Sequence, residues 1–187
     1  ISKSILHVDV SVGKSLPKNL VKLALLIRLN TLSKGVSGVS LENISKLYDL
    51  LNSEYVPVVG RYGSLGASGD LAQNGRVLSV LLQDQLANVF NDKDQIISAR
   101  VALKKIGLKP IDLDPKAGLA FVNGDNFSTS AAILSNIEVF LLFHLELYLS
   151  AFVIQVLKGT NRYFHPFLGK VRNYSGQIYV ADFLAEL

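Results

Sequence analysis

The sequence contains no cysteine, no methionine and no tryptophan among its 187 residues. Without cysteine there can be no disulfide framework and no thiolate zinc site, and a cytoplasmic setting is the default expectation. The three histidines, His7, His144 and His165, stand far apart. They offer no metal-ligand spacing, so no metal is expected. The lack of methionine extends to position 1, which suggests a processed chain, a fragment or part of something longer. Charge is also scarce. Charged residues make up 18% of the chain and the net charge is +4, with lysines and arginines scattered and no dense basic run beyond Lys104-Lys105. Nucleic-acid binding normally shows clustered basic residues, so that partner class is set aside.

Apolar residues are plentiful. They form 49% of the chain, and the mean hydropathy is +0.33. That is high for a soluble monomer, so part of the apolar surface is expected to be buried against partner subunits. The length suits a single domain, 1–187, with a sizeable core.

Hydrophobic periodicity predicts a mainly helical fold. A helix is expected over residues 17–34, opened by Pro17 in its first turn and closed by Gly35. Ser40 caps a second, with Leu41, Ile44, Leu47, Tyr48 and Leu51 on one side. Residues 55–69 carry Pro57, Gly60, Gly63 and Gly66 and read as loop. Asp70 is the expected cap of a helix running to about Leu86. A polar turn follows at 91–94, then a short helix near 97–106, and residues 107–126 read as irregular or briefly extended. The longest element runs from about Ser128 to Leu157, with Asp125 and Asn126 as its expected caps. It is apolar on most faces, but Asn136, Glu138, His144 and Glu146 interrupt every window of about 20 residues. A helix buried in a bundle is therefore expected, not a membrane span. Glu138, His144 and Glu146 are expected to serve packing between subunits.

The densest glycine usage lies in Gly63-Ser64-Leu65-Gly66-Ala67-Ser68-Gly69-Asp70. Glycine is used where backbone must bend sharply or be approached closely. The familiar glycine-loop chemistries fail on spacing. A dinucleotide fingerprint needs G-x-G-x-x-G, whereas the glycines here recur every third residue. A nucleophile elbow needs G-x-S-x-G, which Tyr62 breaks around Ser64 and Asp70 breaks around Ser68. Gly13-Lys14-Ser15 would need a glycine at Val8 to be a phosphate-binding loop. By composition alone, Gly63–Gly69 reads as a tight turn.

Gly63 to Ala72 resembles the signature of the aromatic amino acid ammonia-lyase family, which includes the histidine, phenylalanine and tyrosine lyases and related aminomutases. Other segments agree in order: Arg28-Leu29-Asn30 through Gly35 with Ser37-Gly38-Val39; Lys116, Gly118-Leu119-Ala120, Asn123-Gly124 and Ser128-Thr129; and Phe164, Arg172 and Gly176-Gln177. The resemblance implies a helical-bundle core of the lyase type, with an irregular glycine-rich loop preceding a helix. It also implies that Ala67, Ser68 and Gly69 cyclise into a methylidene-imidazolone, with no external cofactor. Small residues suit that reaction, since the amide nitrogen of Gly69 must reach the carbonyl of Ala67 before Ser68 loses water.

Asn123 inherits the family's place beside the prosthetic group. His7-Val8 falls where members contact the substrate ring; histidine followed by an aliphatic residue there resembles the tyrosine-selective members. A surface histidine is an equally open reading of His7. The implied activity is release of ammonia from an aromatic amino acid, tyrosine-like by that pair, in a homotetramer whose subunits share each site. Two other readings stay open: an aminomutase, and a catalytically incomplete lyase-like piece acting in assembly. The chain departs from the family pattern at Gly60, Gln73, Arg76, Ala117, Asp125, Asn126, Gln155 and Gly169. The family's tyrosine base would lie upstream of these motifs, and further pocket residues downstream.

Overall fold

The structure is a computed structural model that describes residues 10–186. Its residues group into two compact units that divide between Ile133 and Leu134.

The first unit is built on helices α1 (Lys18–Leu32), α2 (Leu41–Asn52) and α3 (Leu71–Leu81). Pro17 sits at the N-cap of α1, where its missing N–H costs nothing, and Gly35 follows the helix with a left-handed φ of +75°. Ser40 caps α2 by accepting from the Asn43 N–H. The expected helical stripes converge on one core. Val21, Ala24, Leu25 and Leu32 of α1 meet Leu47 and Leu50 of α2 and Leu78 and Leu81 of α3, all essentially inaccessible to solvent.

Short strands accompany these helices, and two of them, Val56–Pro57 and Gly60–Tyr62, lie in the 55–69 stretch that reads in sequence as loop. β1 (Val12–Ser15) pairs antiparallel with β3 (Gly60–Tyr62), and β2 (Val56–Pro57) pairs with β4 (Asn88–Phe90), which pairs in turn with β5 (Ile96–Ser98). Pro57 is tolerated because β2 lies at the sheet edge. Strands of two to four residues, three of them with glycine or proline inside, leave no periodicity to read. The expected turn at 91–94 is real. The Asn91 side chain accepts from the Lys93 and Gln95 N–H groups and folds β4 back onto β5.

Three expected boundaries shift. α3 ends at Leu81 instead of about Leu86, because Gln83 turns left-handed (φ +55°) and its side chain bonds the Leu108 carbonyl. The expected 97–106 helix is strand β5 followed by α4 (Ala99–Lys105). Residues 107–126 contain α5 (Ala117–Val122), only six residues long. A helix of that length is unstable alone and needs tertiary support.

Helix α6 (Asn126–Val156) carries the chain from the first unit into the second, spanning 31 residues or about 46 Å. By length and composition it could cross a membrane. The expectation that it is buried does not hold within this chain. Phe140, Leu141, Leu142, Phe152 and Val153 are all more than half exposed, while Leu147 and Ala151 are buried. A helix apolar on every face needs neighbours on every side, and the described residues supply too few. The second unit adds a 3-10 turn (Asn161–Phe164), α7 (Pro166–Arg172) and α8 (Ser175–Glu186). Within it the His144 ring bonds the Phe140 carbonyl and the Tyr179 hydroxyl, each at 2.8 Å, with Phe143 and Phe183 around it. His144 is thus held by its own chain.

Candidate active site

The glycine-rich loop leaves β3 and enters α3. Gly63, Gly66 and Gly69 all have positive φ, at +150°, +72° and +102°. Gly66 and Ala67 both form backbone bridges to Gly69, so the chain doubles back over the tripeptide. Ala67 and Ser68 are exposed and Gly69 is half-buried.

Gly69 lies against Asn123. A Cβ on Gly69 would stand 2.8 Å from Asn123 Oδ1 and 3.1 Å from the Gly124 nitrogen. Two segments more than fifty residues apart in sequence therefore meet where the resemblance places them. The residues at this point fit an internally formed prosthetic group. Only a residue without a side chain fits at 69, and its neighbour is a neutral amide. His7 and Val8 lie outside the described residues.

Asp70 departs from expectation. It occupies the N-cap position of α3, but its carboxylate does not cap that helix. Its Oδ2 accepts from the N–H groups of Phe127 and Ser128, each at 2.9 Å, and its Oδ1 accepts from Ser128 Oγ at 2.6 Å. Asp70 thus caps α6, the task expected of Asp125 and Asn126. The first turn of α3 is served by Ser64, whose Oγ accepts from the Ala72 N–H at 3.0 Å. Negative charge at a helix N-terminus is favourable, so the buried Asp70 carboxylate also complements the α6 dipole. The loop is tied at both ends, by Ser64 to α3 and by Asp70 to α6.

Asn126 is free of capping duty because its side chain is buried elsewhere. It exchanges two hydrogen bonds of 3.0 Å with the Asn74 amide and donates to the Ala24 carbonyl. Asn74 also donates to the Gly124 carbonyl, which accepts the Asp70 N–H at 2.7 Å as well.

Arg28 closes the arrangement from α1. Its guanidinium donates to the Ala120 carbonyl and, at 2.9 Å, to the Asn123 carbonyl. It is 8% exposed. Burial lowers its pKa from the ordinary arginine value, and the Asp125 carboxylate opposes that shift; an arginine remains charged nonetheless. Arg28, Asn74 and Ser64 were not singled out from sequence as site residues. Arg28 alone left a signal: it falls four residues after Ala24 and four before Leu32, a charge at core-facing spacing.

A mainly helical protein with a self-contained Ala-Ser-Gly loop held against an asparagine belongs to a definable class. The family model for aromatic amino acid lyases matches residues 2–187. The chain belongs to the aromatic amino acid lyase family. It is 37% identical over 177 residues to the histidine ammonia-lyase of Desulfotalea psychrophila, an alignment covering 95% of this chain and 34% of that one. The crystal structure of a phenylalanine ammonia-lyase from the yeast Rhodosporidium toruloides matches with a TM-score of 0.93 at 31% identity, covering 100% of this chain and 31% of that one. The phenylalanine aminomutase of Pantoea agglomerans matches with a TM-score of 0.89 at 30% identity, covering 99% and 35%. The chain spans about a third of the length of the curated relatives it matches.

Proposed function

We propose that this chain contributes the electrophile-bearing part of an ammonia-lyase acting on an aromatic L-amino acid. The observation that carries the reading is the contact between Gly69, in a conformation suited only to glycine, and the Asn123 side chain.

The reaction must remove a weakly acidic β-proton and expel a poor leaving group, the amine. Ala67, Ser68 and Gly69 would form a methylidene-imidazolone, which supplies an electrophilic carbon that ordinary side chains cannot offer. Its formation balances as two dehydrations. The Gly69 nitrogen bonds to the Ala67 carbonyl carbon with loss of one water, and the Ser68 side chain loses the second. The chain's own residues prepare the place. Gly69 leaves room for close approach, and Asn123 presents a neutral polar group beside it. The N-terminus of α3, which opens directly after the loop, directs partial positive charge toward it and favours negative charge developing there, while that of α6 is met by the Asp70 carboxylate.

The curated relatives are named for histidine, which makes it the first substrate to test. The tyrosine-like expectation rests on His7 and Val8 alone. Similarity to an aminomutase supports a second reading, transfer of the amine to the β-carbon. The exposed apolar faces of α6 support assembly into a homo-oligomer, a tetramer by family resemblance. A cytoplasmic setting remains part of this proposal.

Intact-mass spectrometry tests the reading directly. The matured chain is expected to be two waters lighter than its encoded mass and to gain near-ultraviolet absorbance. Ser68→Ala should restore the full mass while leaving the thermal midpoint unchanged, since Ser68 is exposed. A wild-type chain at full encoded mass sinks the proposal and leaves assembly as the remaining role. Assays for urocanate, cinnamate, coumarate and β-amino acids then separate the substrates and the two reactions.

A further inference from the structure

The strongest unassigned feature of the site is the buried arginine behind it. Arg28 comes from the middle of α1, yet both carbonyls it binds belong to the last turn and C-cap of α5, 92 and 95 residues away. The last carbonyls of any helix lack partners within it, and a cation complements the negative end of its dipole. A six-residue helix has almost no stability of its own, so its end lies where outside partners hold it.

Two glycines show how tight the hold is. A Cβ on Gly124 would collide with Nη1 and Cζ of Arg28, so the guanidinium fills the space that any other residue would need. A Cβ on Gly69 would collide with the Asn123 side chain. The contacts therefore run in series, with Arg28 against Gly124 and the Asn123 carbonyl, and Asn123 against Gly69.

We propose that Arg28 is a positioning residue for the site. Its guanidinium, bonding two carbonyls through Nη2 and packing Nη1 against Gly124, fixes the 123–124 turn so that the Asn123 amide is held against Gly69. The functional meaning rests on Ala67-Ser68-Gly69 being the electrophile precursor; the geometric claim does not. Both hydrogen bonds leave one nitrogen, Nη2, while Nη1 and Cζ fill the space beside Gly124; a lysine would keep the charge but lacks the flat group that packs there. Small displacements of a positioned group cost rate out of proportion to stability.

The test is Arg28→Lys in the full chain. Intact mass of the wild type is measured first, and its failure to lose two waters counts against the proposed function alone. Proton–nitrogen spectra then read the positioning. The Asn123 side-chain amide and the Gly124 N–H are expected to shift in Arg28→Lys, while α2 signals stay in place. In matured, active protein, kcat is expected to fall about tenfold or more with KM changed less than about twofold, because Asn123 would be misplaced with binding largely kept. Unmoved Asn123 and Gly124 signals in a folded Arg28→Lys chain overturn the proposal. If the variant does not fold, the wild type decides. Slowly exchanging Arg28 guanidinium protons with Overhauser contacts to Ala120 and Asn123 support the role, and rapidly exchanging ones overturn it.

Discussion

Gly66 and Gly69 separate two reasons for glycine that look identical in sequence. Both have positive φ, but a Cβ on Gly66 would meet only Ser128 Oγ at 3.5 Å, an ordinary contact, whereas one on Gly69 would meet Asn123 and Gly124 at 2.8–3.3 Å. Gly66→Ala should therefore cost about 1 kcal/mol, from left-handed strain alone. Gly69→Ala adds overlap with a neighbouring side chain and backbone, and should cost about 2–3 kcal/mol. Urea denaturation of both variants checks the ordering; equal costs would mean that Asn123 yields freely and does not press on the loop. Ala67, Ser68, Gly69 and Asn123 could be named only through the family resemblance, since composition alone reads Gly63–Gly69 as a tight turn; the structure brings Gly69 and Asn123 together. The roles of Arg28 and Asn74 could not, because their partners, the carbonyls of Ala120, Asn123 and Gly124 and the Asn126 amide, are brought near only by the fold.

Among the elements, the connection that matters is the crossed capping of α3 and α6. Asp70 stands where α3 begins, yet its carboxylate accepts three hydrogen bonds from Phe127 and Ser128 at the start of α6. Ser64, from the loop, serves α3. Asp70→Ala should cost about 2–3 kcal/mol, since it removes a buried, charged acceptor from three donors. Ser64→Ala removes one neutral bond and should cost about 1 kcal/mol. Thermal denaturation of the two variants tests the assignment, and near-equal losses would show that Asp70 acts only as a local cap. The sequence reading of Asp70 as an N-cap residue had the right residue type and position but the wrong helix. Cap propensity is local, whereas the choice of helix is made by tertiary approach. Long helices such as α1 and α6 were legible for the opposite reason, because many residues repeat one signal, spaced apolar residues in α1 and an extended apolar run in α6. The two-residue strand β2 and the six-residue α5 carry too few residues to show one and exist through their neighbours.

At the scale of the molecule, helix α6 poses a problem that the chain does not solve alone. Phe140, Leu141, Leu142, Phe152, Val153 and Val156 are each more than half exposed on one continuous helix. Contiguous apolar surface of this kind marks a protein or membrane contact. Glu138 and Glu146 fall on the same helix, and ionised groups are costly within a bilayer. Water-filled seams between packed helices accommodate them more readily, so self-association is the expected outcome. Leu141 is 65% exposed, so Leu141→Glu should change the stability of the isolated fold by less than about 0.5 kcal/mol. In an assembly the same change would bury a charge against apolar neighbours and should shift the protein to a lower molar mass by light scattering after size-exclusion chromatography. A wild-type chain that elutes as a monomer without detergent would rule out self-association through α6. Co-sedimentation with lipid vesicles, undiminished by Leu141→Glu, would instead indicate membrane contact. The outcome also bears on the loop. If the variant dissociates and still loses two waters, maturation needs only the first unit's own contacts among Arg28, Asp70 and Asn123, and assembly serves the later chemistry.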